Sequence, residues 1–286
     1  MTRSTAPSAA LPPDTGLKTR VLTVANGSAG SGKSTFAAAV AYAAAMRGKK
    51  VCVIGLDKQR DMSHVLGYDD PDSNPALPTL YDVLDELCTL AEAVVPALNS
   101  KTGDPIPNLW IVPESEKLDK LEFMLAGTTA RELWLYKIIG QLRGRFDAVL
   151  LDCPGDVKLA TIGALIAGDE IVGCVKSQEK EARGLTQLED KLYEVHQAYA
   201  HTGMRDKVDW VVIGDGVSNK KQGKVYWDVE QQIRKAYGDS VLKFTVRDDV
   251  KVPEAYTAGQ PVTLYAPKSA AAEAYTKNGR QMKLYR

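Results

Sequence analysis

The chain has 286 residues, of which 44% are hydrophobic, and this is enough apolar material for one large α/β core or two small domains. Its 36 lysine and arginine residues balance 36 aspartate and glutamate residues, so no overall charge draws the chain to nucleic acid, and any such contact needs a local basic patch. The longest nearly uncharged apolar stretch, residues 36–46, is too short to span a bilayer, and four widely spaced cysteines without a C-x-x-C pair indicate reduced core thiols rather than a zinc site or a disulfide framework.

The first residues of the chain differ in composition from the rest. Residues 1–16 are largely Ala, Pro, Ser and Thr and lack the charged-then-apolar order of a secretion signal. We therefore expect residues 1–17 to form a disordered tail. We expect residues 18–286 to form a single domain, because neither a linker nor an internal repeat divides them.

Strand-like and helix-like segments alternate along the remainder. Strands are predicted at residues 20–25, 50–56, 109–113, 146–151, 170–175, 208–213 and 241–246. Helices are predicted at residues 35–46, 80–98, 128–143, 158–167, 179–200 and 222–236, with surface loops at residues 68–78 and 99–108. Near-continuous Val, Ile and Leu runs are typical of strands buried on both faces, so the pattern predicts an α/β fold with a mostly parallel sheet and helices on both faces.

A phosphate loop follows the first predicted strand. Residues 27–34 match G-x-x-x-x-G-K-[ST], in which glycines let successive backbone N–H groups turn inward around an anion. The helix that follows adds partial positive charge at its N-terminus. We expect Lys33 to reach the β- and γ-phosphates and the Ser34 hydroxyl to hold Mg²⁺. The predicted nucleotide-binding residues are Gly27, Ser28, Ala29, Gly30, Ser31, Gly32, Lys33, Ser34 and Thr35.

Two aspartates close predicted strands. Asp152 ends the run V-L-L-D, a Walker B pattern that places its carboxylate at the edge of the sheet where ligands bind, although such an aspartate can also simply cap a turn. Asp57 ends the second strand and could orient or deprotonate the attacking water. We predict catalytic roles for Lys33, Asp57 and Asp152, and a metal site formed by Ser34, Asp57 and Asp152.

Several motifs in this order resemble the ParA-type partition ATPases of the MinD/ParA class, the P-loop ATPases with a deviant Walker A motif. Residues 26–35 are similar to N-Q-K-G-G-V-G-K-T-T, residues 53–59 to I-D-x-D-P-Q, and residues 151–154 to I-D-C-P. Further matches are residues 80–84 to V-Y-D-x-L, residues 253–261 to S-E-A-P-x-x-G-x-P, and residues 264–269 to L-Y-x-P-x-S. The resemblance extends over residues 20–275.

This resemblance implies a doubly wound parallel sheet and an ATPase that uses ATP and Mg²⁺ and forms a sandwich homodimer with ATP. It implies a DNA-partition (segregation) function, in which the dimer binds non-specific DNA and a ParB-like centromere-binding protein stimulates hydrolysis and release. The DNA contacts would come from Lys251, which corresponds to a DNA-contacting arginine of the family, with Arg247 and Lys268 near it. Acidic residues dilute this patch, so an ordinary solvated surface is the alternative interpretation. The expected location is the bacterial cytoplasm, on the nucleoid, whether a plasmid, a phage or a chromosome encodes the protein.

The chain departs from the family pattern at three positions. The signature lysine, which crosses the dimer to the partner's phosphates, is replaced by Ser28, and the glycine after it by Ala29. The first aspartate of the D-x-D pair is replaced by Gly55. A serine cannot supply the missing positive charge, and one hypothesis is that another cation substitutes. The candidates follow the strand predicted at residues 170–175, and they are Lys176, Lys180 and Arg183. The alternative is that these three are solvated charges that flank the start of a helix.

Two other functions stay open. A P-loop kinase or ligase of small molecules does not need the signature lysine, although residues 253–269 argue against it. Carboxysome-positioning relatives of ParA also lack that lysine, so the cargo need not be DNA. A membrane partner is not expected, because residues 280–286 are too short and too weakly apolar to form an amphipathic anchor.

Overall fold

The computed structural model describes residues 11–217, 221 and 223–286, which fold around a seven-stranded sheet. Its strands are β1 (Arg20–Ala25), β2 (Val51–Gly55), β3 (Val95–Leu98), β4 (Pro105–Val112), β5 (Ala148–Asp152), β6 (Glu170–Lys176) and β7 (Trp210–Gly214). The spatial order is β3-β4-β2-β5-β1-β6-β7. Neighbouring strands run parallel except β3, which pairs antiparallel with β4 at the edge.

Helices connect these strands. They are α1 (Lys33–Ala45), α2 (Asp61–Val65), α3 (Leu80–Leu84), α4 (Leu121–Met124), α5 (Trp134–Ile139), α6 (Leu159–Ala167), α7 (Glu179–Tyr199), α8 (Lys224–Tyr237), α9 (Lys251–Thr257), α10 (Val262–Tyr265) and α11 (Ala270–Gln281). Short 3₁₀ helices lie at Pro71–Ser73, Glu116–Lys120, Arg131–Leu133, Gly140–Leu142, Ala200–Thr202 and Gly238–Ser240.

The sheet is covered on both faces. Because successive strand residues point to opposite sides, they enter two separate apolar clusters. One cluster includes Val21, Cys52 and Val149 with Leu135 of α5 and Leu185 of α7, and the other includes Leu22, Val53 and Leu150 with Phe36 of α1 and Tyr275 of α11. The predicted doubly wound, mostly parallel α/β fold is therefore confirmed, and β1 lies in its interior between β5 and β6.

The strand predicted at residues 241–246 is wrong. This segment meets β7 only through an isolated bridge of Val241 and through amides of Leu242 and Val246 that donate to β7 carbonyls. Between these points the backbone amides of Lys243 and Phe244 bond to side chains of α11 instead of to a strand. Of the apolar residues that suggested a strand, Val241, Leu242 and Val246 are buried and Phe244 is exposed, so the pattern reflects packing rather than ladder pairing.

The helix predicted at residues 80–98 is also wrong in its second half. Helix α3 ends at Leu84, and Glu86 has a φ of 57°, a left-handed conformation that a helix cannot continue through. The chain then forms β3, where Pro96 is tolerated because this strand lies at the sheet edge.

Other boundaries move by smaller amounts. The helix predicted at residues 128–143 is reduced to α5 with flanking 3₁₀ turns, and Ala130, with a φ of 51°, interrupts its first part. The loop predicted at residues 99–108 is shorter, because β4 begins at Pro105. The last predicted helix, residues 222–236, is α8 from Lys224 onward, and residue 222 lies outside the described residues.

The end of the predicted N-terminal tail contacts the domain. Residues 1–10 lie outside the described residues. Leu11 packs against the core, the Thr15 amide donates to the Gly144 carbonyl (3.0 Å), and the Arg145 guanidinium donates to the Pro12 carbonyl (3.1 Å). Residues 11–17 are therefore attached to the rest of the chain.

Within residues 11–217, 221 and 223–286, none of the helices combines the length and apolar character needed to cross a membrane.

Candidate nucleotide site

The phosphate loop connects β1 to α1 at the carboxyl edge of the sheet. Gly30 and Gly32 have φ values of 78° and 87°, a left-handed conformation in which a side chain would be strained. The Phe36 amide donates to the Gly32 carbonyl (2.9 Å), which closes the first turn of α1. The first N–H groups of α1 have no acceptor within the helix, so they are available to an anion in the loop.

Lys33 lies folded across this loop. Its side chain is 6% exposed, and its ammonium donates to the Ser28 carbonyl (3.0 Å) and to the Ser31 hydroxyl (3.4 Å). Both acceptors are neutral, and none of the described carboxylates forms an ion pair with Lys33. The positive charge is therefore available to phosphate oxygens in the loop.

Asp152 ends β5 as a fully buried carboxylate. Among the described residues, neither of its oxygens has a hydrogen-bond partner with bonding geometry. Burial raises the pKa of the Asp152 carboxyl to about 7, although the nearby Ser34 hydroxyl and Lys33 ammonium act in the opposite direction. A buried carboxylate with two unsatisfied oxygens beside a serine hydroxyl fits a hard divalent cation, so Ser34 and Asp152 can hold Mg²⁺.

Asp57 lies two residues after β2 at the edge of a cleft of about 560 Å³ that Lys33 and Ser34 also line. Its Oδ1 accepts from the Gln59 amide (3.0 Å). Burial raises the pKa of the Asp57 carboxyl, the neighbouring Asp61 adds to this, and the Gln59 amide and Lys33 oppose it. The structure thus brings Lys33, Ser34 and Asp57 to one cleft, with Asp152 buried beside them.

Residues far along the chain form the opposite wall of the cleft. Arg247, the two aspartates after it and the α9 residues Val252, Pro253 and Tyr256 line this wall. Lys176 at the end of β6 also reaches the cleft, where its ammonium pairs with Asp215 (2.8 Å). The cleft can therefore hold a nucleotide between the phosphate loop and the α9 segment.

The three candidate substitutes for the signature lysine lie in different places. Lys176 lines the cleft, whereas Lys180 and Arg183 are exposed on α7 and are not among the residues that line it. Arg183 pairs with Glu179 at 3.5 Å in a solvent-exposed contact. Of the three, Lys176 is the one that lines the cleft.

The position of the signature lysine is covered by α7. Ser28 is 6% exposed, and its amide donates to Asn26 Oδ1 (2.8 Å). Gly184 of α7 packs directly over it, because a Cβ at Gly184 would lie 2.8 Å from the Ser28 Cβ and 2.2 Å from Asn26 Oδ1. Ser28 therefore has a packing role in this chain, and Gly184 is required for it.

A further carboxyl near the site was missed by the sequence analysis. Glu114, two residues after β4, is fully buried and accepts from the Met62 amide (3.2 Å), the Ser63 amide (2.8 Å) and the Ser63 hydroxyl. Burial raises the pKa of Glu114 to about 8, and the charge of Asp152 adds to the shift. Only its place after a predicted strand could have suggested a role.

This raised pKa predicts that the free energy of unfolding depends on pH. Between the ordinary glutamate value of 4.5 and about 8, the folded chain retains a proton on Glu114 that the unfolded chain has released. Stability should therefore fall as the pH rises through this window, by up to about 1.4 kcal/mol per pH unit from this group. Glu114→Gln, which stays neutral, should reduce the slope.

Denaturant unfolding of both proteins between about pH 5 and pH 8 measures the effect. Asp152 contributes in the same direction and interacts with Glu114, so the difference between the wild type and Glu114→Gln reports Glu114 together with its coupling to Asp152. Equal slopes in the two proteins would contradict the prediction.

The three predicted DNA-binding residues lie close to the α9 wall. Arg247 and Lys268 are exposed, and among the described residues neither has a carboxylate within ion-pair distance. Lys251 begins α9 and pairs with Glu254 at 2.7 Å. Asp249 accepts from the amides of Lys251 (2.9 Å) and Ala271 (3.1 Å), so the segments that carry Lys251 and Lys268 adjoin.

Fold and cleft together define a P-loop nucleotide triphosphatase. A family model described as an AAA domain matches residues 19–204. The chain is 29% identical to the chromosome partitioning protein ParA of Caulobacter vibrioides, with 92% of this chain and 93% of that protein covered. It is 27% identical to the sporulation initiation inhibitor protein Soj of Bacillus subtilis, with 90% and 95% covered. The chain therefore belongs to the ParA-type P-loop ATPases.

Two solved structures have the same fold. Cobyrinic acid a,c-diamide synthase of Mycobacterium smegmatis with bound ADP and magnesium has a TM-score of 0.74 at 24% identity, over 92% of this chain and 94% of that one. A McdA–ATP complex of Cyanothece has a TM-score of 0.75 at 18% identity, over 95% and 99%. The protein is an ATPase, as the sequence predicts. ATP and Mg²⁺ stay the expected cofactors, which the residues Lys33, Ser34 and Asp152 fit. The roles of individual residues stay predictions.

Proposed function

We propose that this ATPase is a DNA-partition protein that acts as a nucleotide-switched anchor. Its ATP-bound form dimerises and holds non-specific DNA, and a ParB-like partner on the cargo DNA stimulates hydrolysis and release, in the bacterial cytoplasm on the nucleoid. The observation that carries the proposal is that the segment with Arg247 and Lys251 also forms one wall of the nucleotide cleft. A change of nucleotide can therefore act directly on the basic residues.

Within this proposal the cleft residues divide the work of ATP hydrolysis. Lys33 and the loop amides bind the β- and γ-phosphates, and Ser34 and Asp152 hold the metal. Asp57, which belongs to the predicted metal set, orients the attacking water and can accept its proton, since its raised pKa makes it a better base. Mg²⁺, when bound, neutralises charge on the phosphate oxygens.

A hydrogen-bonded link between α2 and α9 supports coupling of hydrolysis to DNA release. The Tyr256 hydroxyl of α9 donates to Asp61 Oδ1 of α2 (2.8 Å), and the Tyr256 carbonyl lies 2.7 Å from His64 Nε2. Helix α2 directly follows the turn that carries Asp57, and α9 begins at Lys251. A movement of the turn that carries Asp57 would therefore also move the segment that carries Arg247 and Lys251.

The charge available for DNA is local and partly compensated. Glu254 neutralises Lys251 in part, while Arg247 and Lys268 are the more accessible charges. Each lysine or arginine that contacts a phosphate adds about −0.9 to the slope of log affinity against log salt concentration. Few contacts are expected per protomer, so dimerisation is needed for firm binding.

Substitution of the basic residues tests the DNA interface. With ATP present, Lys251→Ala, Arg247→Ala and Lys268→Ala should each weaken binding to random-sequence duplex DNA and make the salt slope shallower by about 0.9 for each phosphate that a protomer no longer neutralises. Fluorescence anisotropy across a salt series measures both quantities. Lys137→Ala on α5, an exposed lysine away from the cleft, is the matched control and should leave both unchanged.

If Lys251→Ala leaves the affinity for DNA and the salt slope unchanged, Lys251 does not contact DNA. If all three variants bind like the control, the proposed DNA surface is wrong.

A second candidate function is a positioning ATPase whose cargo is not DNA. The observation that favours it is Ser28, since carboxysome-positioning relatives also lack the signature lysine. Such a protein would still bind non-specific DNA with ATP, but a ParB-like partner would not stimulate its hydrolysis. ATP turnover with and without candidate partner proteins separates the two.

A further inference from the structure

The carboxyl group of Glu114 occupies the space in front of Gly55. A Cβ built on Gly55 at the end of β2 would lie 2.0 Å from the Glu114 Cδ and 2.2 Å from its Oε1. Strands β2 and β4 pair in parallel with Ile54 opposite Val112, so the residues just past each strand are neighbours. The absence of a side chain at position 55 is therefore what admits Glu114.

This carboxyl group fastens the start of α2. It accepts from the amides of Met62 and Ser63 and from the Ser63 hydroxyl, and the Glu114 amide donates to the Ser63 hydroxyl oxygen (3.0 Å). The first N–H groups of a helix have no intrahelical acceptor, so without Glu114 they would be buried and unsatisfied. All of these atoms are buried, which makes removal of the carboxyl group costly.

The N-terminus of α2, which Glu114 holds in place, directly follows the turn that carries Asp57. The Arg60 amide donates to the Asp57 carbonyl (3.0 Å), and Arg60 has a φ of 63°, a conformation that a non-glycine residue adopts only when its surroundings impose it. Helix α2 begins at the next residue. The position of Asp57 is therefore set from the α2 side as well as from β2.

We propose that Glu114 is a positioning residue for ATP hydrolysis. Its carboxyl group, delivered from β4 into the space left by Gly55, holds the start of α2 and so fixes the turn that places Asp57 in the cleft. The inference depends on ATP hydrolysis and on the role proposed for Asp57, and is independent of DNA binding. The family that the chain resembles has an aspartate at the position of Gly55. In this chain Glu114, which follows the neighbouring strand β4, supplies a carboxyl group in its place.

A carboxylate swap tests this directly. In Gly55→Asp the new side chain would collide with Glu114, and in Glu114→Ala the start of α2 loses its acceptor. In the double variant Gly55→Asp/Glu114→Ala, the Asp Cβ would lie 2.0 Å from the position of the present Glu114 Cδ. The carboxyl group bonded to that Cβ can therefore enter the vacated space and replace the missing acceptor. Glu92→Ala is the control, because Glu92 also accepts from an amide and a hydroxyl, those of Thr89, but is exposed and does not bond to α2.

Steady-state ATP turnover and melting temperature are measured for all five proteins. We expect Glu114→Ala to lower kcat by about tenfold or more with KM for ATP changed less than about threefold, since the phosphate loop is intact. The double variant should recover kcat to within about threefold of the wild type, and Glu92→Ala should keep wild-type kcat.

Wild-type kcat in Glu114→Ala would overturn the inference. If this variant does not fold, the double variant decides. Recovery of its melting temperature without recovery of kcat shows a purely structural role and also overturns the inference. Loss of DNA binding in a protein that hydrolyses ATP normally would count against the proposed function and leave Glu114 untouched.

Discussion

Replacement of Lys33 by alanine or methionine is expected to lower ATP turnover by at least about 100-fold and to weaken ATP binding. Lys33 is the buried cation of the phosphate loop, and its only polar contacts among the described residues are the neutral Ser28 carbonyl and Ser31 hydroxyl. Without it, the negative charge that develops on the transferred phosphoryl group loses the ammonium of the phosphate loop.

The two substitutions separate charge from packing, because methionine keeps most of the volume of the buried lysine stem. Phosphate release and binding of a fluorescent ATP analogue measure the two effects. Lys137→Ala serves again as the exposed control. Lys33→Met with turnover near that of the wild type would show that the loop does not act through this charge.

Replacement of Asp57 by alanine is expected to lower turnover by about 100-fold or more while ATP binding changes little. Asp57 lines the cleft two residues after β2, where it can orient a water molecule beside the phosphate loop. If it orients or deprotonates that water, its loss stops hydrolysis and leaves the ATP-bound form populated.

Asp57→Asn is the informative second variant, because it keeps the hydrogen-bonding shape and removes the base. Asp239→Ala, at an exposed turn outside the cleft, is the matched control. Turnover and nucleotide affinity are measured in parallel. Asp57→Ala with unimpaired turnover, or with ATP affinity reduced as severely as in Lys33→Ala, would contradict the assigned role.

The placement of the candidate site residues around one cleft could largely be predicted from the sequence, because the loop geometry is local. The loop of residues 27–34 has a defined spacing, and Gly32 of the pattern, together with Gly30 inside it, adopts a left-handed backbone that glycine favours. Asp57 and Asp152 could be predicted because both follow buried strands, and parallel strands end at one edge of the sheet.

The contacts that depend on strand register could not be predicted. Glu114 matters only because β4 lies beside β2 and Gly55 leaves room for it, and neither fact is visible in the spacing of the two residues. The packing of Ser28 could not be predicted for the same reason. It is covered by Gly184 of α7, which lies 156 residues further along the chain. Such pairs are fixed by tertiary packing rather than by local pattern.

The errors in secondary structure have a related cause. Residues 241–246 contain apolar side chains at strand-like spacing, but the chain there bonds to Asn278 and Gln281 of α11 instead of forming a ladder with β7. Residues 95–98 join the sheet as an edge strand although the apolar pattern of the region favours a helix. In both cases a partner distant in sequence decides between alternatives that the local pattern leaves open.

The most direct test of the proposed switch is the affinity of the wild-type protein for random-sequence duplex DNA with ATP, with ADP and without nucleotide, across a salt series. The proposed function predicts salt-sensitive binding with ATP that is abolished with ADP and without nucleotide. Equal binding in all three conditions, or no DNA binding by protein that has ATP bound, would contradict it.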